Sequence, residues 1–146
     1  MAETLGMLCD KLTIVKLKQY HTEDATRLAS LAGQEKMLQQ EIDEFVAKAL
    51  AGEIPQEKLS FAANKVFKAA GNDIREITGS IGVVFADLAD VNCKLWHEQE
   101  KVYDFENVPV AEKDVVVRQL AHLNLERNKC IDEIDRQFAT LVKEKK

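Results

Sequence analysis

The sequence predicts an all-α protein, a single domain over residues 1–146 built as a four-helix, up-down antiparallel bundle with a long N-terminal helix. Three observations predict it. Apolar residues recur in alternating steps of three and four along most of the chain, the period of an amphipathic helix. The composition is globular, 46% hydrophobic and 31% charged, with 6% aromatic residues and an Ala- and Leu-rich apolar set that favours helix. Two prolines and six glycines are too few for a chain of many tight turns.

The first element carries Ile14, Leu17, His21, Asp24, Leu28, Leu31, Glu35, Leu38, Ile42, Phe45 and Ala49 on one stripe, with Leu5, Leu8, Leu12 and Val15 beside its start. A continuous helix over about residues 4–50 is expected, opened by Thr4 or Glu3 and irregular at Gly33. The break AGEIPQE follows. Gly52 suits a helix C-cap, and Pro55 suits the first turn of the next helix. A second helix over 55–77 carries Leu59, Ala62, Ala63, Val66, Phe67, Ala70 and Ile74, with Gly71 and Asn72 able to interrupt it. After TGSIG, with Ser80 as N-cap, a third helix places Ile81, Phe85, Leu88, Asn92, Leu95, Gln99 and Val102 on one stripe. It ends near Glu106 and Asn107, where Pro109 blocks continuation. The fourth helix starts near Val110, with Val117, Leu120, Asn124, Arg127, Ile131, Ile134, Phe138 and Leu141 in three-four spacing. The valine runs in VVFADLADV and DVVVRQL sit inside these longer patterns, so length decides for helix. Short connections imply antiparallel neighbours.

Charge and cysteine usage narrow the function classes. The net charge of −5 opposes nucleic-acid binding, which rests on clustered Lys and Arg. The terminal KEKK suits the end of a helix facing its own dipole. Cys9, Cys93 and Cys130 form no CxxC pair and fit free thiols in a reducing compartment. No apolar run reaches a membrane span, and the N-terminus lacks the pattern of a secretory signal, so a cytoplasmic protein with no membrane partner is expected.

Polar residues interrupt three of the stripes. His21, Asp24 and Glu35 fall on the first, Asn92 and Gln99 on the third, Asn124 and Arg127 on the fourth, with Trp96, His97, Glu100 and Asn128 close by. A buried Arg left unpaired costs on the order of 3–5 kcal/mol, so Arg127 predicts a carboxylate partner. Asp24, Glu98 and Glu100 are the candidates. Two readings stand side by side. One is a satisfied polar layer that fixes helix register or dimer pairing. The other is a ligand pocket between helices one, three and four, lined by His21, Asp24, Asn92, Trp96, Glu100, Asn124, Arg127 and Asn128. There Arg127 would hold an anionic group, Trp96 would stack on a ring and the amides would orient polar groups.

Catalytic and metal patterns are sparse, and neither a metal nor a cofactor is expected. Bundle di-iron sites use Glu-x-x-His pairs, but Lys18, Lys94 and Gln119 stand three before His21, His97 and His122. HTED and WHEQE bring His and carboxylates close without a paired ligand pattern. Glu41 and Glu44 of EIDE resemble half of the Mg²⁺ site of all-helical nucleotide pyrophosphatases, but Asp73 and Glu76 come in the wrong order for the other half. There is no GxSxG, P-loop or GxGxxG. Cys93 and His97 are four apart, a spacing common by chance.

Three segments carry a resemblance. CDKLTIVKLKQYH (9–21), NCKLWHEQEKVYDFE (92–106) and LNLERNKCIDEID (123–135) resemble the D-K-L-T-I-x-K-x-K, N-x-x-L-W-x-x-E-D and L-N-x-x-R-N-x-x-I-x-x-I-D segments of uncharacterised bacterial helical domain families. It covers roughly the first 20 and last 55 residues. It implies an all-helical fold, no assigned activity, and for some members an association with lipopolysaccharide or other glycan assembly. The chain departs in having Gln99 and Glu100 where Glu-Asp is usual, and Lys101, Val102 and Tyr103 where an Arg often follows. The resulting expectation is a non-enzymatic binding or assembly protein, tied to cell-surface glycan synthesis. Its expected partners are a second copy in a homodimer and an anionic small molecule or protein. The alternative is a small Mg-dependent helical enzyme acting on nucleotide or phosphorylated substrates.

Overall fold

The computed structural model describes residues 3–61 and 75–145. Among them are four α-helices, α1 (Leu5–Tyr20), α2 (Ala25–Leu50), α3 (Ile81–Tyr103) and α4 (Val110–Lys145), with 3-10 turns at Gln56–Lys58 and Phe105–Asn107. They form the expected all-α up-down bundle, but its members differ from expectation.

The long first helix is two helices. HTED breaks it through local polar chemistry. The Thr22 hydroxyl donates to the Lys18 carbonyl, His21 Nδ1 lies 2.9 Å from the Leu17 carbonyl, and Asp24 accepts from the Arg27 amide at 3.3 Å as the N-cap of α2. Such side chains offer the backbone an alternative to the helical ladder. A four-residue interruption preserves the three-four phase of the stripe, so the apolar pattern alone does not reveal the turn. Gly33, the expected irregularity, lies inside α2 with open space around it.

The other boundaries follow their caps. Thr4 opens α1 and Ser80 opens α3. At the end of α2 the Gly52 amide donates to the Ala49 carbonyl and the Glu53 amide to the Lys48 carbonyl, with Gly52 at φ 78°, which completes a Schellman motif. The expected second helix meets a 3-10 turn at its start, and its Ala62, Ala63, Val66, Phe67, Ala70, Gly71, Asn72 and Ile74 lie outside the described residues.

α1 packs against the three other helices. It runs antiparallel to α2, where Lys16 and Gln19 reach Glu35. It also runs antiparallel to α4, where Gly6 meets Asp135 and Asp10 meets Arg127. α3 and α4 form the most extensive pair. The apolar core gathers at one end, where Leu5 and Cys9 meet Ala49, Val84, Leu88, Cys130, Ile131, Ile134 and Phe138. At the other end α3 runs two further turns past Trp96, and the α3–α4 hairpin protrudes beyond the α1–α2 turn.

On α4 the buried face is Val116, Leu123, Cys130, Ile131, Ile134, Asp135, Phe138 and Val142. Val117, Asn124 and Leu141, expected on the core stripe, are exposed. The first half packs one residue back from the expected stripe, on Val116 and Leu123, while Ile131, Ile134 and Phe138 are buried as expected.

Candidate functional site

Two polar clusters tie α1 to α4. In the first, Arg127 grips Asp10 with a two-pronged fork: Nε donates to Oδ1 at 2.9 Å and Nη2 to Oδ2. Asn92 of α3 donates through Nδ2 to Asp10 Oδ1 at 2.9 Å and to Thr13 Oγ1 at 2.7 Å. The Thr13 hydroxyl donates back to the Asp10 carbonyl at 2.7 Å. Asp10 and Asn92 are buried, and Arg127 is half-buried. The Asp10 carboxylate holds the Arg127 guanidinium pKa above its ordinary value. Asp10 thus takes three side-chain donors from two helices. Among the described residues, the one buried side-chain polar atom without a partner is Oε1 of Gln56, which lies outside this cluster.

The second cluster holds the start of α1. Asp135 of α4 is buried and accepts the Gly6 amide at 2.7 Å, with a further bond from the Thr4 side chain. The approach is close because residue 6 is glycine. A Cβ there would come within 2.6 Å of the Ile131 carbonyl oxygen. Burial pushes the Asp135 carboxyl up to about 6, against the two bonds that favour its charged form. Burial also pushes the Cys9 thiol up to about 11, and the neighbouring Asp135 and Asp10 charges add to the effect.

The predicted site residues therefore divide. Asn92 and Arg127 meet, but around Asp10 and Thr13. The expected partners of Arg127 are engaged elsewhere. Asp24 caps α2, Glu98 pairs with Lys101 at 3.1 Å, and Glu100 accepts from the Trp96 indole at 2.7 Å. They failed as candidates because Asp24 and Glu100 lie at exposed ends of their helices, whereas Asp10 lies opposite Arg127 in the bundle. His21 stacks on Trp96 with ring centroids 4.6 Å apart, so His21, Trp96 and Glu100 form a separate surface group. Asn124 is exposed and Asn128 half-buried.

A groove of about 840 Å³ opens between α1 and α2 rather than at Arg127. Leu8, Ile14, Val15, Leu38 and Phe45 form its floor, and Met37, Lys18, Lys48 and Lys58 stand on its rim. Glu41 and Glu44 stand on the same wall. Among the described residues no three His, Cys, Asp or Glu side chains converge as a metal site would require, and Asp73 lies outside those residues. No helix among them is long and apolar enough to cross a membrane.

Asp10, Thr13 and Asp135 were not among the sequence candidates. Asp10 and Thr13 lie in the DKLT segment, and an Asp within a helix body is itself a signal, since its side chain competes with the helical backbone. Asp135 stands four after Ile131 and three before Phe138, on a core stripe of its own. Comparison of the chain with family models, curated proteins and solved structures found no match.

Proposed function

We propose that this chain is a non-enzymatic binding and assembly protein that works as a homo-oligomer, most simply a dimer, in the bacterial cytoplasm. One observation carries the reading. The polar side chains best suited to chemistry, Asp10, Asn92 and Arg127, are engaged with one another, while large apolar side chains remain exposed. Tyr20, Met37, Val83, Tyr103, Val110, Val115, Val117 and Leu141 are all more than half exposed. Contiguous apolar surface, rather than single exposed side chains, marks interaction with other macromolecules, and Tyr103, Val110, Val115 and Val117 all fall at the α3–α4 connection or in the first two turns of α4. The Asp10 cluster then serves as a register lock between α1, α3 and α4. A role in cell-surface glycan synthesis rests on the three segment resemblances alone.

The test is sedimentation equilibrium together with thermal unfolding in the presence of sugar phosphates, nucleotide sugars and Mg²⁺-nucleotides. An oligomer whose Tm is unmoved by Mg²⁺-nucleotides is expected. A Tm gain with nucleotide sugars would support the glycan link. A single-chain mass, with Mg²⁺-nucleotides bound and hydrolysed, would overturn the reading in favour of the phosphohydrolase alternative.

A further inference from the structure

We propose that two copies of this chain pair by exchanging α1: residues 21–24 straighten, α1 and α2 become one continuous helix, and each α1 packs on the other copy in the place it holds on its own. This rests on the homo-oligomer reading above and names the contact that makes the dimer.

Residues 21–24 need little change to become helical. KQYHTEDATRL (18–28) contains neither glycine nor proline. An α-helical bond already ends at His21, whose amide donates to the Leu17 carbonyl at 3.1 Å, and another begins at Asp24, whose carbonyl accepts the Leu28 amide at 2.9 Å. Asp24 has a helical φ of −72°, so its ψ of 122° alone must turn, toward about −42°. The bond from the Thr22 hydroxyl to the Lys18 carbonyl is of a kind that helices accommodate. The three-four stripe also passes through the hinge unbroken, from Ile14 and Leu17 through His21 and Asp24 to Leu28 and Leu31. A straightened helix therefore carries one continuous face.

The exchanged contacts are the ones the single chain already makes. Asp10 meets Arg127 of the partner subunit, Gly6 meets the partner's Asp135, and Lys16 and Gln19 meet the partner's Glu35. The helices α2, α3 and α4 keep their places, so complementarity is inherited whole. The register also places the two-fold axis. Pairing residues 16 and 19 with 35 puts the residue that faces its own copy half-way between, at about residue 26. On the straight helix residue 26 lies about 8 Å past His21, and Tyr103 lies about 10 Å past Trp96, on which His21 stacks. The α3–α4 hairpins of both copies therefore reach the axis together. Tyr103 and Val110, 84% and 85% exposed in the single chain, there approach their counterparts.

Ala25→Pro separates the two forms. Ala25 is exposed and opens α2, where proline suits the first helical position, and Asp24 before it already has the extended ψ that a following proline favours. In the straight helix the same proline loses a backbone hydrogen bond and its ring meets the carbonyl of residue 21. The wild type is expected to dimerise. The variant is expected to fold, by circular dichroism and Tm, and to self-associate at least about tenfold more weakly in sedimentation. A second measurement needs no variant. Unlabelled and isotope-labelled chains are unfolded, mixed and refolded, and a zero-length carbodiimide couples Lys16 to Glu35. Exchange predicts that about half of the coupled peptides join a light chain to a heavy one.

A wild type of single-chain mass at every concentration would overturn both this contact and the oligomer reading. A wild-type oligomer whose Lys16–Glu35 links join only peptides of one isotope would overturn the exchange and leave the oligomer reading standing. A folded Ala25→Pro variant that associates as tightly as the wild type would do the same.

Discussion

Asp10 of α1 and Arg127 of α4, 117 residues apart in the chain, are joined by two parallel N–H···O bonds, and Asn92 of α3 completes the junction. Three helices therefore agree on one register at one carboxylate. The geometry implies a graded response to mutation. Asn92→Ala removes two hydrogen bonds but leaves the ion pair, so a loss of roughly 1–3 kcal/mol is expected. Chemical denaturation checks it, and an unchanged midpoint would count against the junction.

Gly6 should tolerate no side chain. An alanine Cβ would meet the Ile131 carbonyl at 2.6 Å and Asp135 Oδ1 at 3.0 Å. One obstacle is backbone and the other a fixed carboxylate, so α1 must move away from α4. Gly6→Ala is expected to lower stability by about 1–3 kcal/mol or more, despite the higher helix propensity of alanine. Gly33→Ala, with nothing within 4 Å of its Cβ, should stabilise slightly. Measuring the two Tm values side by side separates packing from propensity.

Asp135 makes stability depend on pH in the direction opposite to a salt-bridged carboxylate. Its folded-state pKa is raised from 3.8 to about 6, first by burial. The folded chain then holds this proton more tightly than the unfolded chain. The contribution is fully present below about pH 4 and is lost as pH rises through about 6. Relative to Asp135→Asn, the wild type should lose roughly 2–4 kcal/mol across that window. Urea midpoints at a series of pH values would show the two curves diverging, and parallel curves would remove Asp135 as the cause.

The three thiols should separate by reactivity. Cys93 is exposed, whereas burial pushes the Cys9 and Cys130 thiols up to about 11. The thiolate is the reactive form. A thiol reagent should label Cys93 promptly in the folded protein and reach Cys9 and Cys130 only as the chain opens. Prompt labelling of Cys9 would mean that the α1–α4 contact opens readily.

The bundle was legible in the sequence because helical periodicity is a strong signal, and caps such as Ser80 and the Gly52 C-cap region are local chemistry. The break at residues 21–24 was hidden by its length, which keeps the stripe in phase. HTED itself held the signal, since Asp24 is a capping residue followed by an apolar-periodic run. Arg127 and Asn92 were found as polar residues on core stripes, and the need for a carboxylate was correctly inferred from desolvation. Its identity was not, because stripe membership says nothing about which helices face each other. With the first helix broken at this turn, the part that runs on past it is α3, which continues two turns beyond the His21–Trp96 stack.

The most direct test of the register lock is the stability of Arg127→Met, measured with and without the anionic ligand panel. Asp10 is only 4% exposed, so the variant strands a buried carboxylate with Asn92 alone. A loss on the order of 3–5 kcal/mol is predicted, with no ligand class raising the wild-type Tm through this site. A variant as stable as the wild type, together with a wild-type Tm gain from one anionic class that the variant lacks, would contradict it and make Arg127 a ligand-binding residue.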